Sequence, residues 1–179
     1  MKRTSKIIAV LAVLIAGSMI ASGALLTYLS NTVTTTATVS SPMEQWISND
    51  FYTGYVQDNS ITFPSVHGGE TVTFYVKTIN NANAPITGNV DNIVTNWIGV
   101  TGNDFVSVNV RTWDGSAWDG PYDLIALGLY GEPTIYTVKF SYGPTPITWT
   151  AGQVDITEVA VTFKAAAFGT YTFTSQIVP

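Results

Sequence analysis

Segment after segment of this chain alternates apolar and polar residues at a period of two, a pattern that fits a half-buried β-strand and no helix. Val72, Phe74 and Val76 alternate with Thr73, Tyr75 and Lys77, and Val106, Val108 and Val110 with Ser107, Asn109 and Arg111. Tyr136, Val138, Phe140 and Tyr142 share a face opposite Thr137, Lys139 and Ser141. Tyr171, Phe173 and Ile177 oppose Thr172, Thr174 and Gln176. Turn chemistry separates these runs: Pro64 to Gly69, Asn80 to Pro85, the two Asp-Gly pairs of Asp114 to Asp123, and Gly143-Pro144-Thr145-Pro146. Many short strands at regular intervals predict an all-β chain, a β-sandwich or jelly roll.

Other stretches are read with less pattern to guide them. Phe51 to Gln57 and Ile61 to Phe63 are expected as short strands, and Val90 to Val100 as extended chain. Leu124 to Tyr130 is apolar on both faces, which suits a central strand or a buried short helix. Between Val154 and Phe163 the apolar phase slips from Val154 and Ile156 to Val159, Val161 and Phe163, which predicts a bulge near Thr157.

The longest uninterrupted alternation lies nearer the N-terminus. From Ala24 to Val39, Leu25, Leu29, Val33, Ala37 and Val39 point one way; Leu26, Tyr28, Ser30 and the threonines at 32, 34, 36 and 38 point the other. Branching at Cβ favours extended backbone there, and no Gly or Pro interrupts it. No strand comes before it to form a hairpin, so its backbone groups must pair with the body or with a neighbouring molecule. The second option makes residues 25–39 an N-terminal donor strand. Ahead of it, Lys2, Arg3 and Lys6, the apolar run Ile7 to Ile20 and the small residues Ala21 to Ala24 read as a cleavable signal peptide over residues 1–24. Residues 40–50, broken at Ser41-Pro42, read as a linker in which Met43 to Ile47 forms one helical turn that anchors Trp46 and Ile47. Residues 51–179 are the expected sandwich domain.

Composition limits the chemistry. The 179 residues contain no cysteine and one histidine, His67 in a Gly-rich turn. Disulfides, thiolate metal sites and the usual general base of a nucleophilic triad are therefore excluded. No acid, base and nucleophile set assembles, so no enzyme and no cofactor is expected. Asp114, Asp119 and Asp123 could offer oxygens to calcium, but their spacing lacks the EF-hand order and acidic turn residues commonly just solvate a loop. All twelve acidic residues follow Ala24, leaving a mature chain with four basic residues against twelve acidic ones. Such a surface repels nucleic acid phosphates. Trp113 and Trp118 in the acidic loop are candidate contacts between filaments, or stacking platforms for sugar rings if the chain is a secreted monomeric carbohydrate-binding module.

The junction Gly23-Ala24-Leu25-Leu26-Thr27-Tyr28-Leu29-Ser30-Asn31-Thr32, the Gly-Glu-Thr-Val-Thr-Phe run at Gly69 to Phe74 and the closing Phe-Gly-Thr-Tyr-Thr-Phe run at Phe168 to Phe173 carry a resemblance. In them the chain resembles the TasA and camelysin group of secreted biofilm-matrix proteins, whose archaeal relatives are bundling pili. It departs at Leu29, where Phe is usual, and at Asn31, where Asp is usual. The resemblance implies a jelly roll with an N-terminal donor strand, and a head-to-tail homopolymer in which each subunit's strand completes its neighbour's sheet. It also implies a cell-surface or matrix location.

Overall fold

The computed structural model describes residues 42–178. Residues 1–24, read as a signal peptide, and Leu25, Leu29, Val33, Ala37 and Val39, read as a donor strand, lie outside the described residues. Ten strands follow: β1 (Met43–Ser48), β2 (Ser60–His67), β3 (Thr71–Asn80), β4 (Ile86–Thr95), β5 (Phe105–Trp113), β6 (Trp118–Asp123), β7 (Tyr130–Thr134), β8 (Thr137–Trp149), β9 (Val154–Phe163) and β10 (Phe168–Val178). A single 3-10 turn, Gly102–Asp104, precedes β5 and is closed by a Thr101 and Asp104 capping box.

The strands form two antiparallel five-stranded sheets. Sheet A runs β1-β3-β9-β5-β6 and sheet B runs β2-β10-β4-β8-β7. Remove the edge strands β1 and β7 and the two four-stranded orders are those of a jelly roll, two interlocked Greek keys. The alternation read from the sequence sets the faces. Phe74, Val76, Val108, Val110, Val159, Val161 and Phe163 of sheet A meet Val94, Val138, Phe140, Tyr171 and Phe173 of sheet B in one core. Rings fill its centre: Phe105 touches Phe140 and Phe163 at centroid distances of 5.4 and 5.5 Å, and Phe74 lies 5.1 Å from Phe173.

The interior changes character along the strands. Towards the end of the sandwich where β3 finishes and β9 begins, the inward positions are Thr78, Asn80, Asp155, Asn92 and Ser175, all buried. Asn80 organises this pole. Its Nδ2 donates to the carbonyls of Ala84, Trp149 and Thr150 at 2.9–3.0 Å, and its Oδ1 accepts from the Ala82 amide at 2.9 Å. Asn92 Nδ2 is buried with no hydrogen-bond partner among the described residues.

This polar end explains one departure from the sequence reading. No bulge occurs near Thr157: β9 pairs with β3 in unbroken register from Val154–Ile79 to Thr162–Thr71. The apolar phase slips because Asp155 and Thr157 face inward, while Val154 and Ile156 face out. Other expectations are corrected too. Met43 to Ser48 is an edge strand rather than a helical turn, because its backbone finds the open side of β3. Phe51 to Gln57 is a loop, tied to β1 by one bridge between Val56 and Ile47. β2 continues through Pro64 to His67; its partner β10 shifts register between Gly169 and Tyr171 opposite this proline, and proline is tolerated on an edge strand at such an irregularity. Residues 114–123 are a hairpin whose second arm is β6, and Leu124 to Gly128 is a turn that plugs Leu124 into the core. Gly143 to Pro146 lies within β8, opposite a register shift in β4, and makes no chain reversal.

The buried carboxyl of Asp155 gives a pH prediction. Burial pushes its pKa above the ordinary aspartate value of 3.8, opposed in part by hydrogen bonds from Gln153 and Trp149. The folded state therefore holds this proton to higher pH than the unfolded state, and its contribution to stability falls as pH rises from 3.8 through the folded value. Asp155→Asn is expected to remove that part of the slope. Urea denaturation of both proteins from about pH 4 to about pH 7 checks it: the variant should gain relative stability towards neutral pH.

Candidate functional site

Strands β4, β8 and β10 run between the two poles of the sandwich, and the polar pole is incomplete. β2 pairs with β10 only as far as Ser60 opposite Thr174, with one further bond from the Ser175 amide to the Asn59 carbonyl at 2.7 Å. β10 continues to Val178 with β4 on its other side, Gln176 opposite Asp91 and Val178 opposite Asn89. No described strand pairs with this last stretch on its β2 side. Because alternate residues of a strand present their N–H and C=O to the same side, the Ile177 backbone points where that of Ser175 does, into the gap.

The gap is a cleft of about 610 Å³ lined by Met43, Gln45, Gln57 to Asn59, Ile86, Thr87, Gln176 and Ile177. Gln176 and Ile177 project to opposite faces of sheet B, yet both line it, so the cleft wraps the edge of β10 itself. Ile86 and Thr87, at the start of β4, extend it past the end of β10. β1 bounds the opposite side, and Gln45 Nε2 reaches across to Ser175 Oγ at 3.1 Å. β10 is held in place against β4: a Cβ on Gly88 would stand 2.8 Å from the Val178 carbonyl. Among the described residues the cleft thus offers a strand edge without a strand partner, beside Ile86 and Ile177, the geometry that an added strand completes.

A second feature covers the outer face of sheet A. Registers place Trp46, Lys77, Ile156, Trp113 and Trp118 in one row across all five strands. Lys77 Nζ lies over the rings of Trp46 and Tyr55 at 5.3 and 4.8 Å, and burial pushes the Tyr55 phenol up to about 12. Arg111 grips Glu158 with two bonds, Nε to Oε1 at 2.8 Å and Nη2 to Oε2 at 2.7 Å, and lays its guanidinium 4.3 Å from the Trp118 ring centre. Phe51 and Trp113 stand 5.3 and 5.6 Å from Trp118. Trp118 is therefore half-buried between neighbours, with a cation already on one ring face. Trp113 and Trp118, singled out in the sequence as candidate contact residues, stand side by side in this row, which Trp46 and Ile156, distant in sequence, extend.

The three aspartates of the loop do not converge. Asp114 Oδ1 accepts from Ser116 and Ala117 and closes the hairpin, which lowers its pKa, the Ala117 amide most. Asp119 Oδ1 accepts from the Tyr122 hydroxyl at 2.7 Å, and Asp123 Oδ1 from the amides of Val108 and Ile125. Among the described residues no group of three or more such side chains is placed to hold a metal ion. His67 is exposed and 3.6 Å from Glu70; it ends β2, opposite Phe168, rather than lying in the turn expected for it, which narrows to Gly68 and Gly69.

No protein-family model matches the chain, and no curated protein matches it. Solved structures similar to it include the pre-peptidase C-terminal domain of collagenase from Bacillus anthracis, 15% identical over 66% of this chain and 89% of that one, with a TM-score of 0.33. The family 32 carbohydrate-binding module from C. perfringens NanJ, in complex with galactose, is 7% identical over 75% of this chain and 94% of that one, TM-score 0.36. AvmM, which catalyses macrocyclization in alchivemycin A biosynthesis, is 15% identical over 66% and 71%, TM-score 0.38. Among the described residues no helix is long and apolar enough to cross a membrane.

Proposed function

We propose that this chain is the structural subunit of an extracellular filament, of the bundling-pilus or biofilm-matrix kind. In this reading it polymerises head-to-tail by lending residues 25–39 to the cleft of a neighbour. The observation that carries the proposal is the end of β10, without a strand partner among the described residues, in a cleft where Ile86 and Ile177 stand beside polar side chains. A strand laid there gains main-chain hydrogen bonds with Ile177 and buries its aliphatic face against Ile86 and Ile177. Leu25, Leu29 and Val33 are the large anchors, and burying the three contributes roughly 5–8 kcal/mol before ordering costs. Donor and acceptor surfaces differ, so the contact propagates unless its rotation closes a ring. No cofactor takes part. The resemblance to the TasA and camelysin group points the same way, and Trp113 and Trp118, in the row on sheet A, are the surface assigned to contacts between filaments.

A monomeric carbohydrate-binding module is the second reading, favoured by the aromatic row. It is weakened by the Arg111 guanidinium and the Phe51 ring, which already pack on Trp118 and compete with a stacked sugar.

Negative-stain microscopy of the secreted full chain is expected to show regular filaments; monodisperse particles would overturn the proposal. Ile177→Asp tests the site. A carboxylate on the cleft wall is tolerated in the monomer, where Ile177 is only half-buried, but must be desolvated when a strand is inserted. Polymerisation should slow at least about tenfold, since every 1.4 kcal/mol is a factor of ten, with the midpoint of thermal unfolding little changed.

A further inference from the structure

We infer that a cavity of about 250 Å³ between the two sheets is a binding site for a primary alkylammonium group, carried by a free amine or by a lysine side chain. It shares no lining residue with the strand cleft and does not depend on the filament reading. Inward-facing side chains at the polar end of the core build it: Thr78 and Asp155 from sheet A, Val90, Tyr142 and Ile147 from sheet B. Asp114 and Asp119, both exposed on the β5–β6 hairpin, stand at its mouth. Thr78 is only 4% exposed, yet its hydroxyl opens onto the cavity with no hydrogen-bond partner among the described residues. A buried polar group left open in this way is satisfied by what enters the cavity.

The lining selects the ligand. Ionised carboxylates only accept, threonine hydroxyls add further acceptors, and among the described residues no Lys, Arg, His, Asn or Gln lines the cavity. An ammonium group, with three donors and no acceptor, is the complement. Asp155, 6% exposed, accepts from Gln153 Nε2 at 3.0 and 3.1 Å and keeps lone pairs to spare. Asp114 and Asp119 commit Oδ1 to the hairpin and to the Tyr122 hydroxyl, and neither Oδ2 is bonded among the described residues. These groups sense one another: burial raises the Asp155 carboxyl and the Tyr142 phenol, and the charges of Asp114 and Asp119 add to the two in turn. The nearby cations are spent elsewhere, Arg111 on Glu158 and Lys139 on Asp91. A metal ion fits less well, since no group of three such side chains among the described residues is placed to hold one. A stacked sugar finds no platform on Trp149, whose ring is 2% exposed. The volume lies below the roughly 300–1,000 Å³ of drug-sized sites, so the head group carries a short stem, packed on Val90, Ile147 and the Tyr142 ring.

Titration calorimetry of the full chain at neutral pH tests this with n-butylammonium, and with n-butanol as its uncharged counterpart. The amine should bind and the alcohol should give no heat. Asp155→Asn keeps the shape of the side chain and should weaken the amine at least about tenfold, the loss of one charge-assisted hydrogen bond. Asp119→Asn at the mouth and Thr78→Val at the wall should each weaken it severalfold, with the fold of every variant checked by circular dichroism. A blocked peptide with one central lysine separates the two sources: tighter binding than n-butylammonium assigns the site to a lysine side chain, weaker binding to a free amine. Equal binding of amine and alcohol would reduce the site to an apolar hole and overturn the inference. No heat from the amine, or an affinity unchanged in all three folded variants, would overturn it as well. So would tight calcium binding that Asp155→Asn abolishes, which would make the cavity a metal site.

Discussion

Deleting residues 25–39 is expected to abolish filament formation while leaving a folded monomer. Among the described residues, the core that holds the two sheets together is assembled from residues between Ile47 and Phe173, outside the deleted stretch. It does remove the donor, leaving the edge of β10 at Ile177 exposed to solvent. A synthetic peptide of residues 25–39 should bind the shortened protein, raise its midpoint of thermal unfolding by mass action, and cap assembly when added to the full chain. Within the full chain, Leu29→Asp should weaken assembly by several kcal/mol, because an unpaired carboxylate must leave water for an apolar cleft. Thr34→Asp, on the opposite face of the stretch, should cost far less. Sedimentation and microscopy read both. Filaments of ordinary appearance from the deletion variant would show that the stretch belongs to its own sheet and plays no part between subunits.

The largest loss of stability is expected from Asn80→Ala. Its side chain satisfies three buried or half-buried carbonyls and one amide at the pole that carries the cleft; of these the Thr150 carbonyl also accepts from the Gln153 amide at 3.1 Å. Leaving a buried polar group unsatisfied costs about 1–3 kcal/mol each. Even with partial repair by water, a loss of about 3 kcal/mol is expected, a fall of roughly 10 °C in Tm for a domain of this size. The loops 81–85 and 150–153 hang on these bonds, so hydrogen exchange should quicken there before it quickens in the β5 and β9 core. A variant within about 0.5 kcal/mol of the parent would mean that Asn80 is not the organiser of this pole.

What the sequence could and could not disclose divides along one physical line. Where a strand is wet on one face and apolar on the other, period-two alternation is written into the residues. β3, β5, β10 and the first half of β8 were legible for that reason, and with them the all-β class. Where the buried face is polar, the pattern inverts: Asp155 and Thr157 turn inward at the end of the core, and alternation alone reads that as a slipped phase. Edge strands carry the weakest signal. β1, the continuation of β2 through Pro64, and β6 are set by the open backbone of a neighbour, which no local pattern encodes.

The candidate site shows the same limit. The sequence by itself determined that residues 25–39 alternate without interruption, that cysteine chemistry is absent, and that Trp113 and Trp118 are near neighbours along the chain. Only the tertiary structure decided that, among the described strands, β2 stops short of the end of β10 and leaves a cleft. It also aligned Trp46 and Ile156 with the two tryptophans, and gathered Trp97, Ile98, Ile135, Tyr136 and Phe168 from three loops onto one pole. Alternation is a property of neighbours in sequence, fixed by the geometry of one strand; a vacant strand position is a property of strand lengths and registers in different parts of the chain, and it exists only once they are paired.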